Sequence, residues 1–96
     1  MIKVVAENHV KEADLDRFLE LAKIIVEKTV TLDKGCISYS LCQDFSNPLH
    51  CSMIEEWESK EALDEHMKSG HFKEIVPKLG GFCESPTDIT LYKKLF

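Results

Sequence analysis

The sequence predicts an α+β domain with a split β-α-β pattern, in which an antiparallel four-stranded sheet carries helices on one face. Three observations predict it. Hydrophobicity alternates with period two over 2–9, 36–43, 50–57 and 87–95, and runs at helical spacing between the first two and the last two of these segments. Turn chemistry stands at the boundaries, in Asp33-Lys34-Gly35, Asp44-Phe45-Ser46-Asn47-Pro48 and Gly80-Gly81. The 96 residues, 44% hydrophobic and 30% charged, suit one domain over 1–96.

The first strand, 2–9, turns Ile2, Val4 and Ala6 to one face and Val5 to the other. From Glu12 the period lengthens. Leu15, Phe18, Leu19, Ala22, Ile25, Val26 and Thr29 form one broad apolar stripe, opposite Asp14, Asp16, Glu20, Lys23 and Glu27. Gly35 closes this helix. Over 36–43, Ile37, Tyr39 and Leu41 are expected to point one way, and Cys36, Ser38, Ser40 and Cys42 the other. The turn at 44–48 joins this strand to 50–57 as a hairpin. Ser59 is placed to cap a helix over 60–68 that presents Ala62, Leu63, His66 and Met67 on one face. A further helix follows Ser69-Gly70 with Phe72, Ile75, Val76 and Leu79, limited by Pro77 and then Gly80-Gly81. Pro86 precedes the last strand, which aligns Ile89, Leu91 and Leu95.

Register decides which residues share a face, because a slip of one residue reverses every side chain. Placing Tyr39 opposite Glu55 gathers Ile37, Tyr39, Leu41, Met53 and Trp57 together, whereas the alternative scatters them. That register separates Cys42 from Cys51 across the two faces, so no bridge is expected between them. Cys36, Cys42 and Cys83 read as small hydrophobes, and Cys51 as the thiol slowly open to reagents. The helix-free face, with Val5, Cys36, Cys42 and Tyr92 or Phe96, is too apolar to face water, which predicts a homodimer.

Composition excludes several classes. The net charge is −5, and no Lys/Arg run lies beside exposed aromatics, so neither nucleic acid nor an anionic membrane is an expected partner. No apolar stretch approaches the roughly 20 residues of a membrane span, and Ile2-Lys3-Val4-Val5 leaves no room for a signal peptide, so a cytoplasmic location is expected. The four cysteines lack Cys-x-x-Cys spacing. No His, Asp and Glu trio has metal-ligand spacing, although Glu55, His66 and His71 could chelate adventitiously, so no metal is expected. Neither a phosphate-binding glycine loop nor a Gly-x-Ser-x-Gly elbow occurs.

The densest signal lies from Glu55 to Phe72, where a strand bearing Glu55 and Trp57 runs into the Ser59-capped helix carrying His66, and His71 follows closely. With Gly35-Cys36-Ile37-Ser38-Tyr39, Asp44, Asn47-Pro48, Glu55-x-Trp57-x-Ser59-x-x-Ala62-Leu63-x-x-His66, Ser69-Gly70-His71-Phe72 and the segment from Pro77 to Phe82, the chain resembles the antibiotic biosynthesis monooxygenase family over nearly its whole length. The resemblance implies a ferredoxin-like protomer that pairs sheet to sheet as a dimeric α/β barrel, with a pocket between sheet and helices. It implies a small-molecule substrate, and members that oxidise phenolic or quinol-like compounds do so without metal or flavin. Haem-degrading members carry a strand-end asparagine, matched here by Asn8, together with a tryptophan and a histidine whose places hold His66 and Val76. Haem degradation is therefore disfavoured, and no cofactor is expected.

For a cofactor-independent monooxygenase acting on a small aromatic or quinol-like substrate, His66 is the expected base. Glu55 is its expected orienter, Asn8 and Tyr39 the polar clamp, Trp57 the flat wall, and His71 and Phe72 further substrate contacts. Against this stands the ordinary reading of each: a core histidine, a core aromatic, a polar strand end. His9 and His50 read as exposed. The same base would serve an isomerase or tautomerase of a small carbonyl compound, and a non-catalytic ligand-binding dimer would need only the pocket.

Overall fold

In the computed structural model, which describes residues 1–96, strand β1 (Ile2–His9) lies inside the sheet and alternates as its sequence demands. A 3-10 turn at Glu12–Asp14 leads into α1 (Leu15–Leu32), which buries Phe18, Ala22, Ile25 and Thr29. Strands β2 (Cys36–Gln43) and β3 (His50–Trp57) form the hairpin, α2 (Lys60–Lys68) and α3 (Gly70–Gly81) follow, and β4 (Asp88–Lys93) completes the sheet. Strand order is β2-β3-β1-β4 with every pair antiparallel, the ferredoxin-like arrangement. No helix is long and apolar enough to cross a membrane.

Tyr39 does pair with Glu55, and Glu55 pairs with Val4, which pairs with Leu91. Leu41, Met53, Ala6 and Ile89 make the neighbouring row. These two rows form the floor on which the helices sit. Around them Val10, Phe18, Ile25, Cys51, Trp57 and Leu79 close the core.

Three local expectations need correction. A bulge between Cys36 and Ser38 pairs Cys36, not Ile37, with Trp57. The extra residue breaks the alternation, so Ile37 is exposed and Cys36 packs against the core instead of facing away from it. Cys42 is exposed while Cys51 is fully buried, reversing their expected accessibility; all four thiols are free. Pro77 lies inside α3 and does not limit it. Pro77 and Lys73 are both exposed, so the Lys73 carbonyl deprived of its intrahelical donor lies on a face that water can reach.

Candidate functional site

The site is built where α1 ends. Asp33 caps α1, its backbone N–H donating to the Thr29 carbonyl at 3.0 Å. An acidic residue at this negative end of the helix dipole is electrostatically unfavourable, so its carboxylate needs another reason to be there. Gly35 follows with φ of +81°, and the Glu58 N–H donates to its carbonyl at 2.9 Å. A Cβ at Gly35 would stand 2.6 Å from Ala62 Cβ, so only glycine lets this turn lie against α2.

On the facing side, Ser69 ends α2 and begins α3. Its hydroxyl donates to the His66 carbonyl at 2.6 Å and accepts from the Phe72 N–H at 3.2 Å. This double cap fixes the corner between His66 on α2 and His71 on α3. Both imidazoles reach the same carboxylate. His66 Nδ1 lies 2.5 Å from Asp33 Oδ2, and His71 Nε2 lies 3.0 Å from Oδ1 and 3.1 Å from Oδ2. The three side chains are 9% exposed or less.

Trp57, Phe72 and Tyr39 surround the His66 ring, with centroids 4.7, 5.0 and 5.3 Å away. Burial in this aromatic cage lowers the His66 pKa, and the hydrogen bond with Asp33 opposes the change. A carboxylate on Nδ1 favours the proton there and leaves Nε2 as the basic nitrogen; the ring's one hydrogen bond is the one through Nδ1.

His66 borders a cavity of about 140 Å³ between the sheet and helices α2 and α3. Val4, Ala6 and Met53 form its floor, Leu63, Phe72 and Val76 its roof, and Ile89 and Leu91 its rim. The rim is open because no helix covers β4, all six of whose residues are exposed. Asn8, Tyr39, Glu55 and Thr87 supply the other polar groups. Burial pushes the Glu55 carboxyl from 4.5 up to about 7, partly opposed by the 2.9 Å hydrogen bond it accepts from Trp57 Nε1. Burial, followed by the nearby Glu55 charge, raises Tyr39 far above the ordinary phenol value, so its hydroxyl keeps its proton.

Of the residues singled out in the sequence, Asn8, Tyr39, Glu55, His66 and Phe72 meet at this cavity. Trp57 and His71 do not line it. Trp57 is fully buried behind His66, and His71 faces Asp33. Glu55 is not the partner of His66; Asp33 is, and Glu55 is taken by Trp57. The Asn8 amide is already engaged, donating to the Ala6 and Cys51 carbonyls at 3.2 Å each and accepting from Thr87 Oγ1 at 2.8 Å. It ties β1 to β3 and to the start of β4 instead of presenting a free clamp. Sequence reasoning missed Asp33 and Thr87. The one signal for Asp33 was a carboxylate at a helix C-terminus, where charge favours a base.

The sequence profile described as antibiotic biosynthesis monooxygenase matches residues 1–78. A conserved protein of Methanosarcina mazei Go1 superposes with a TM-score of 0.95 at 40% identity, covering 98% of this chain and 92% of that one. A crystal structure of an antibiotic biosynthesis monooxygenase gives a TM-score of 0.92 at 33% identity, with 99% of both chains covered. An uncharacterized protein of Synechocystis sp., sll1783, is 33% identical over 91 residues, which are 94% of this chain. The chain spans 61% of that relative's length. With its core, topology and more than three quarters of its residues matched in this way, the chain belongs to the antibiotic biosynthesis monooxygenase family.

Proposed function

We propose that this protein is a cofactor-independent monooxygenase of a small, electron-rich aromatic or quinol-like compound. The observation that carries the reading is the Asp33–His66 pair, in which the carboxylate engages Nδ1 of a ring that borders an apolar cavity and Nε2 has no partner in the chain. His66 Nε2 removes a proton from the substrate hydroxyl or an activated ring carbon, and Asp33 stabilises the imidazolium that forms. The resulting anion is electron-rich enough to reduce oxygen itself. All the electrons come from the substrate, so one oxygen atom enters it and the other leaves as water. Tyr39, protonated, donates to the developing oxyanion, while Phe72 and the aliphatic residues exclude water. A cavity of about 140 Å³ suits a single ring, since a dry cavity of about 150 Å³ accommodates benzene.

The proposal includes a homodimer acting through one domain per chain. The helix-free face carries Val5 and Ile54 side by side, with Tyr92 53% exposed beside them, and a second sheet would cover this apolar surface. Oxygen uptake with a panel of monocyclic dihydroxyarenes tests the chemistry. Uptake is expected from the wild type and at least about 100-fold less from His66→Ala. Equal, negligible uptake by both would sink the reading.

Glu55 favours a second reading. A carboxyl poised near 7 shares the cavity with His66, the acid and base pair that an isomerase or tautomerase of a small carbonyl compound needs. Turnover without oxygen, falling above pH about 7 as Glu55 loses its proton, would identify that chemistry. A ligand held tightly and returned unchanged would identify a binding protein.

A further inference from the structure

We propose that Asp33, His66 and His71 form a binding site for a first-row divalent transition-metal ion, and that occupation of this site turns His66 from a proton acceptor into a proton donor at the cavity. One ligand atom from each side chain lies within 4.8 Å of the other two. The carboxylate sits between the imidazoles, with nitrogen-to-oxygen distances of 2.5 and 3.0 Å. Ligands of a tetrahedral ion with bonds of about 2.0–2.1 Å stand roughly 3.3 Å apart, so each imidazole must open from the carboxylate by less than about 1 Å, and the two imidazole nitrogens, no more than 4.8 Å apart, must close by about 1.5 Å at most. Two imidazoles and one carboxylate are the donor set of zinc and non-haem iron centres, and suit cobalt equally.

The surroundings add an entry path and a suitable field. An open depression of about 600 Å³ between the α1–β2 turn and α2 has Asp33 and His66 in its lining, both nearly buried at its base. Glu58, Glu61 and Glu65 line it, against Lys34 and Lys68, so with Asp33 the carboxylates outnumber the ammonium groups. The site is also rigidly framed. Gly35 holds the Asp33 turn against Ala62, and the double cap at Ser69 sets the angle between the two histidine-bearing helices.

Tautomer chemistry supplies the consequence. Without a metal, the Asp33 carboxylate, which can only accept, favours the tautomer with the His66 proton on Nδ1. A metal on Nδ1 requires that nitrogen's lone pair, and the proton of the neutral ring then occupies Nε2. Nε2–H can donate to a bound ligand but cannot accept its proton. Metal binding and proton abstraction are therefore mutually exclusive uses of the same ring. The site itself stands independently of the proposed oxygenase, which enters only through this consequence.

The test uses the tag-free full-length protein after chelator treatment, titrated with Co²⁺ followed by its visible absorption and with Zn²⁺ followed by calorimetry. One equivalent per chain is expected, with Co²⁺ displaced by Zn²⁺. Asp33→Asn and His71→Gln should each weaken binding by roughly 100-fold or more, exceeding the 10- to 100-fold typical of losing an outer partner. His50→Gln is the control. His50 lies between Asp44 and Glu7, 3.0 Å from each, and its loss should change nothing. Long-range nitrogen–proton NMR of the Zn²⁺ form should show the His66 proton moved from Nδ1 to Nε2. No stoichiometric uptake at millimolar ion, uptake undiminished by either variant, or a proton retained on Nδ1 would overturn the proposal. If Asp33→Asn does not fold, His71→Gln alone decides it. These readouts report ion occupancy and not turnover, so an inactive but metal-binding protein would sink only the oxygenase reading.

Discussion

Replacing Glu55 with glutamine should remove a pH-dependent weakness built into the fold. Burial raises the Glu55 carboxyl from 4.5 to about 7, and Trp57 Nε1 only partly offsets this. In the unfolded chain the carboxyl returns to its ordinary value. Between the two values, the native protein retains a proton that the unfolded chain has released. Stability from this group therefore falls as pH rises from about 4.5 toward 7, and the loss is complete above that. At about 1.4 kcal/mol per pH unit, the interval is worth about 3 kcal/mol. In a chain of 96 residues that corresponds to roughly 12–24 °C in Tm. Glutamine keeps an acceptor for Trp57 and cannot ionise. Urea unfolding followed by the fluorescence of the single tryptophan, at fixed protein concentration from pH 5 to 8, measures the difference. The variant should exceed the wild type by about 1 kcal/mol near pH 5 and by about 3 kcal/mol at pH 8. Parallel stability curves for the two proteins would show that Glu55 is not held protonated, and the argument would fail.

Gly35→Ala should cost about 2–4 kcal/mol, from a Cβ at positive φ and its 2.6 Å approach to Ala62, and thermal unfolding reads it directly. A loss below about 0.5 kcal/mol would mean that the turn relaxes freely. Thr29→Val should stabilise by about 1 kcal/mol, because the Thr29 hydroxyl is fully buried without a partner and valine has the same shape; a destabilised variant would imply an unseen hydrogen bond. Sedimentation at micromolar concentration should give a dimer for the wild type and a monomer for Ile54→Glu, which places a charge in the middle of the helix-free face. A folded wild-type monomer would remove the proposed interface.

Elements whose order is local were legible in the sequence. The period-two segments became β1 to β4, the stripe from Leu15 to Thr29 became the buried face of α1, and Ser59 and Ser69 cap the helices that follow them. Tyr39 opposite Glu55 was also legible, because one register alone collects the apolar residues on a common face. The bulge at Cys36 was not, since the insertion of one residue leaves the hydrophobic pattern of a short strand ambiguous. Pro77 misled because a proline's cost depends on whether the carbonyl it strands can reach water, which only packing determines. The polar heart of the site was the least legible. Asp33 lies 33 residues from His66 and 38 from His71, and no period or short motif links positions so far apart. Sequence determined that His66 would face inward from α2. Tertiary structure alone decided which carboxylate meets it, because that choice depends on the positive-φ turn at Gly35 carrying the end of α1 against Ala62.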